Sequence, residues 1–304
     1  MRTSVSYPNG VNLYGTYISP TGGNVFYVAA SGGSDGNDGL SPLRGLATLS
    51  QAITNATANN GDTIVLLPGA HSWTGSTAVN KAGLCITGLP GNYIRPRASV
   101  TVGGTTSIMA VSVANIEIAY LRVINITAQA AISWTAAATN LYVHDNSFDM
   151  ATAAANTATN ALGHLTTSYT VAPANVVIDH NYFEVTGAQG PAIKMGDAVD
   201  FVVSNNTFAA KGGTWAVAVE QYGVLGWGTY RDNDFPVFKN ATVTKGITGT
   251  DLTSTLSVAI LRNFFGQTTT TPIDDWGTTD AYIAENYLAS SGGAGGGVLW
   301  SSIT

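Results

Sequence analysis

Apolar and polar residues alternate along short stretches of this chain, and the stretches share a further mark. An asparagine breaks the alternation, and an aromatic residue or leucine follows two positions later. The pattern occurs six times: Leu141, Val143, Asn146, Phe148; Val176, Ile178, Asn181, Phe183; Phe201, Val203, Asn206, Phe208; Gly228, Tyr230, Asn233, Phe235; Val258, Ile260, Asn263, Phe265; and Ala281, Ile283, Asn286, Leu288. A period of two is the mark of a β-strand. A turn residue precedes four of the six at one offset: Asn140, Asn175, Asp200 and Asp280. An earlier segment, Ile116 to Val123, fits with Leu121 in the asparagine slot, and Leu84-Cys85-Ile86 reads as an earlier rung still.

The asparagines advance by 35, 25, 27, 30 and 23 residues. Strand alternation at such a period predicts a solenoid of β-coils. A sandwich would show turns but no recurring side chain at one coil position. In a parallel β-helix equivalent positions stack about 4.8 Å apart. The asparagines then form a column of amides, each donating to its neighbour, and Asn tolerates the left-handed backbone of a tight bend. Phe148, Phe183, Phe208, Phe235 and Phe265 would stack inside. The fold class expected is all-β: a single-stranded right-handed parallel β-helix of about nine coils, on the order of 43 Å long.

The entry to the solenoid is also legible. Leu49, Ala52, Ile53 and Ala56 fall at i, i+3, i+4 and i+7 behind Thr48, a suitable N-cap. This predicts a short capping helix over about 48–58, which would lid the first rung and its unpaired edges. The segment from Gly61 to Gly69 then supplies the first strand. The domain reading is an N-terminal arm, 1–24, and a β-helix domain, 25–304.

Charge changes the picture most. Only 10% of the 304 residues are Asp, Glu, Lys or Arg, against roughly 25% in an average soluble domain. Twelve Lys and Arg and a net charge of -6 leave no basic patch for a phosphate backbone, so nucleic acid is not expected as a partner. No apolar run approaches the roughly 18 residues that span a bilayer, so no membrane is expected either. The lone Cys85 cannot form an internal disulfide. The opening residues lack the apolar core of a secretory signal, and export by a cleaved signal is not expected. Outer faces must then be Thr, Ser, Asn and Ala with some exposed apolar surface, which invites homo-oligomerisation.

The run Tyr27-Val28, Gly33, Asp35, Asp38-Gly39, Pro42, Thr48-Leu49, Ala52-Ile53, Gly61 to Ile64 and Pro68-Gly69, followed by the Asn-x-Phe rungs, resembles the right-handed parallel β-helix proteins of the pectate-lyase-like superfamily. The opening Tyr7-Pro8-Asn9-Gly10-Val11-Asn12, with Asn59 to Asp62 and Pro68 to His71, is similar to β-helix virion proteins of tailed bacteriophages. The resemblance implies a virion location and, since such phage members are commonly trimeric, a homotrimer.

Enzymes of the superfamily use carboxylate clusters holding calcium with an Arg or Lys base, or paired aspartates beside Gly-His and Arg-Ile-Lys segments. Here Gly163-His164 and Ile193-Lys194 exist, but Ala192 fills the Arg slot. The one Asp-Asp pair, Asp274-Asp275, sits in a loop. Stacking leaves one constellation of note, the column His144, Asp179, Ser204, Arg231 beside Asp145, His180, Asn205, Asp232, Arg262, Glu285. Adjacent rungs would set His144 near Asp179 and Asp145 near His180. Such pairs orient an imidazole as general base or form a solvated polar face. Asp145, Asp179, His180 and Asp232 are therefore the catalytic candidates, without a nucleophile beside them. Asp35, Asn37 and Asp38 read as turn chemistry, not a calcium loop. No metal or cofactor is expected. Trp73, Trp134, Trp215, Trp227, Trp276 and Trp300 read as core or subunit contact before sugar platforms.

The function expected is a non-enzymatic virion protein, a trimeric capsid decoration or head spike. It would bind the major capsid protein or another virion protein through Tyr7, Pro8, Tyr14, Tyr17 and Ile18 of the arm. The alternative is a tail-spike depolymerase, a polysaccharide lyase or glycoside hydrolase, or an adhesin acting on host surface glycan.

Overall fold

A computed structural model describes residues 22–73, 77–89, 98–102, 109–125, 130–150, 162–164, 173–186, 190–196, 198–222, 226–238, 241–250, 256–266, 269–274, 280–289 and 297–299. The arm residues Tyr7, Pro8, Tyr14, Tyr17 and Ile18, with Asp275, Trp276 and Trp300, lie outside the described residues.

Alternation along each rung sends one set of side chains inward and pairs the strand with the next rung. Ten strands form a sheet in chain order from Val25–Val28 to Asp280–Ala284. Every pairing within it is parallel. A second, seventeen-stranded sheet wraps the other sides, with the 16-residue strand Thr207–Tyr222 pairing on both of its flanks. The fold is a parallel β-helix.

The inward positions of all coils merge into one core that includes Leu141, Val143, Ile178, Phe201, Tyr230 and Ile260. The regular part, where the amide ladder continues from rung to rung, links Asn146 through Asn286: six asparagines and so five turns between them. Counting about nine coils overstates that regular part, because the rungs before it lack the asparagine.

The helix spans Leu49–Asn55, three residues short of the expected end at 58. Thr48 caps it by accepting from the Gln51 N–H at 3.1 Å. It stops early because the fully buried Asp62 draws the chain away, accepting the N–H groups of Thr57 and Asn24 at 2.7 Å each. Asp35 organises the approach, accepting from Ala47 N–H, Thr48 N–H and Thr48 Oγ1 at 2.9 Å. Asn37 donates to the Gly45 carbonyl and Asp38 accepts from Leu40 N–H, so this loop is turn chemistry as expected. At the far end the chain reverses. Gly297–Leu299 pairs antiparallel with Asn286–Leu288, the sole antiparallel pairing among the described strands.

Candidate functional site

The corner that follows the ten-stranded sheet carries the catalytic candidates Asp145, His180 and Asp232, with Asp179 at the end of its strand. Within it the amides behave as stacking dictates. Each ladder Oδ1 accepts both the backbone N–H and the Nδ2 of the asparagine one coil earlier, at 2.9–3.1 Å. Each Nδ2 also reaches back to a backbone carbonyl of the preceding coil, as Asn206 does to Ile178 and Asn233 to Val203. The first coil of the series keeps the acceptor: Leu121, in the asparagine slot, donates its N–H to Asn146 Oδ1 at 3.0 Å. Beside the ladder Phe148, Phe183, Phe208, Phe235 and Phe265 stack at centroid separations of 4.7–4.9 Å, with ring planes within 18°.

The bend itself falls one residue earlier than expected. Asp145, His180, Asn205, Asp232, Arg262 and Glu285 hold left-handed φ of 51–56°, and Tyr120 holds 57°. The ladder asparagine must point its amide inward, so the residue ahead of it turns the corner and sends its side chain outward. The opposite corner of the sheet is built alike. Asn115, Asn140, Asn175 and Asp200 have φ of 55–60°, and Asn175 donates to Asn140 and Asn140 to Asn115 at 2.8 and 2.7 Å. This second, exposed amide ladder was legible only as turn residues at a fixed offset.

The outward side chains bond chain neighbours within a coil as well as partners one coil away. His144 and Asp179 are register partners, yet His144 Nδ1 bonds Asp145 at 2.9 Å and its Nε2 bonds Glu117 at 3.0 Å. The ring stacks on Tyr142 at 4.0 Å and meets Tyr120 edge-on at 5.9 Å. Burial would lower its pKa; the bonds to Asp145 and Glu117 outweigh that and raise it. His144 is therefore held between the carboxylates of Asp145 and Glu117. Glu117 went unnoticed in the sequence because its coil lacks the asparagine that sets the register.

His180 Nδ1 bonds Asp179, its chain neighbour, at 2.6 Å. Asp179 also accepts from Ser204 Oγ at 2.7 Å and Asn205 Nδ2 at 2.9 Å. Burial pushes its pKa up, but Asn205, Ser204 and His180 together hold it below the ordinary range. Asp232 takes Arg262 on both oxygens at 2.8 and 2.9 Å and Arg231 at 3.1 Å, and the Arg262 bonds keep its pKa low. The corner thus brings Asp145, His180 and Asp232 into one column with Asp179 in the column beside it, but spends the three carboxylates on neighbours. Ser204 gives its proton to Asp179, not to an imidazole that could activate it. Among the described residues no three acidic, His or Cys groups converge as a metal site.

Lys194 pairs with Glu220 at 3.5 Å and Asp274 pairs with Lys245, so both sit in ion pairs between coils. Trp134 and Trp215 are core and Trp227 is 58% exposed. Sequence reasoning also missed a polar pair inside the core. Tyr230 donates to Gln221 at 2.7 Å and Gln221 to the Gly196 carbonyl at 3.1 Å.

No family model matches the chain, and no curated protein matches it. Among solved structures it is similar to a pectin methylesterase in complex with a hexasaccharide. That match has 10% identity and a TM-score of 0.44, covering 88% of this chain and 90% of that one. It is also similar to the ORF18 protein of Geobacillus virus E2, at 9% identity and a TM-score of 0.38. There the match covers 88% of this chain and 61% of the viral one.

Proposed function

We infer that the protein is a non-enzymatic structural component of a bacteriophage virion, an oligomeric capsid decoration or head spike attached through its N-terminal arm. One observation carries the reading: the polar corner holds coils together instead of presenting reactive groups. Asp145, Asp179 and Asp232 each accept from neighbouring side chains. The ladder beneath them is buried. A chain with only 10% charged residues suits a body packed against copies of itself. The virion assignment comes from the sequence motifs of the arm and the first coil, and a trimer is the oligomer that the resemblance implies. Deleting residues 1–22 should leave a folded oligomer by circular dichroism and sedimentation that no longer attaches to particles. Undiminished attachment overturns the arm's role.

A second reading, a depolymerase or adhesin acting on host surface glycan, draws support from the Asp179–His180 pair, whose imidazole is 42% exposed. Exposed Trp227, Phe264, Tyr282 and Tyr287 add aromatic surface of the kind that stacks on sugars. Incubation with host capsular or lipopolysaccharide material separates the two: new reducing ends or unsaturated sugars would establish the enzyme.

A further inference from the structure

We propose that Asn175, Asp200 and Trp227 form a seat for an alkylammonium group, the side-chain end of a lysine on a partner protein. This goes beyond the structural reading above and does not depend on it. The exposed amide ladder has a direction: Asn175 Nδ2 donates to Asn140, and Asn140 Nδ2 to Asn115. Each oxygen along it is served by a donor one coil later. For Asn175 Oδ1 that coil offers Asp200, at the same left-handed bend. An ionised carboxylate only accepts. The ladder therefore ends in two acceptor groups on coils about 4.8 Å apart, and among the described residues neither is given a donor. Both residues are exposed. The one Lys or Arg in the described strands of the ten-stranded sheet is Arg231, at the opposite corner and bound to Asp232.

The next coil supplies the third part. Phe201 pairs with Gly228, so Trp227 holds on its coil the place that Asp200 holds on the one before. Gly228 faces inward, since a Cβ there would run into the Phe201 ring. Alternation then turns Trp227 outward, and it is 58% exposed.

Chemistry selects the occupant. An ammonium has three donors and can serve Asn175 Oδ1 and the carboxylate together, while its charge and methylene stem lie over the indole. A neutral sugar would suit the ring and leave the carboxylate's charge unmatched. A calcium ion would find two ligand groups where it takes about six or more. A net charge of -6 with twelve Lys and Arg complements a basic partner.

The test titrates the full chain with N-acetyl-lysine methylamide and follows the Trp227 indole N–H resonance, assigned by its absence in Trp227→Phe. The expected result is a saturable shift that is lost in Asp200→Asn. Asn tolerates the left-handed bend, and its Nδ2 could donate to Asn175 Oδ1, so Asp200→Asn should hold or raise the urea midpoint while removing the seat. If the midpoint falls instead, Asp200→Gly, which also accepts that bend, repeats the titration with the same criteria. No saturable shift, or one undiminished without the carboxylate, overturns the proposal. An equal shift with the uncharged N-acetyl-norleucine methylamide or with calcium chloride overturns it too. An equal shift with maltotriose overturns it in favour of a sugar platform.

Discussion

Asn206 shows how much one buried side chain can hold. Its Oδ1 accepts two bonds from Asn181, and its Nδ2 donates to Ile178 and Asn233. Asn206→Ala would leave several of those groups unpaired at about 1–3 kcal/mol each. Asn206→Asp would be worse near neutral pH, setting an anionic oxygen against the Ile178 carbonyl and Asn233 Oδ1, and should recover in part on acidification. Urea titration at two pH values reads both effects. The opposite sign is expected one residue before the ladder's end. Glu285 holds φ of 55°, where a residue other than Gly, Asn or Asp carries roughly 1–2 kcal/mol of strain. Glu285→Asn should therefore stabilise the fold by up to about 1 kcal/mol, seen as a higher denaturation midpoint. Lengthwise register was legible at this scale because Asn and Phe recur together. The left-handed position was not, because Asp, His, Asn, Arg and Glu occupy it in turn and share only a backbone angle.

At the scale of elements, ends are governed by buried carboxylates more than by propensity. Apolar spacing marked where the Leu49–Asn55 helix begins, but its end depends on Asp62, seven residues beyond Asn55, which spacing cannot reveal. Asp35 has the same kind of authority at the start. Asp35→Ala removes the acceptor of three bonds at 2.9 Å and should cost about 1–2 kcal/mol. Faster hydrogen exchange confined to residues 47–55 would check it; an unchanged pattern would show that the loop holds without the carboxylate. The candidate site was half legible for a related reason. Rung counting brought Asp145, Asp179, His180 and Asp232 to one corner. It could not tell that each imidazole prefers the carboxylate beside it in the chain, since at a left-handed bend neighbouring side chains converge.

Across the whole molecule, ionisation sets opposite limits on stability. His144 has a raised pKa. Its contribution is full below the unfolded value of about 6.5 and is lost as pH rises through the folded value. Asp179 has a lowered pKa. Its contribution is present above about 3.9 and is lost as pH falls through the folded value. Thermal midpoints should therefore peak between those limits. His144→Gln should flatten the alkaline side alone and Asp179→Asn the acidic side alone; identical profiles would remove both residues from the pH response.

The parallel stacking of rungs has a mechanical consequence. From Asn146 to Asn286 each coil is tied to the next by ladder bonds of similar length, with 23–35 residues between successive asparagines. Pulled from its C-terminal end, the molecule would peel one turn at a time, each step releasing about 80–120 Å of chain at a comparable force. A rod that yields in graded increments survives tension that would snap a body with one all-or-none interface.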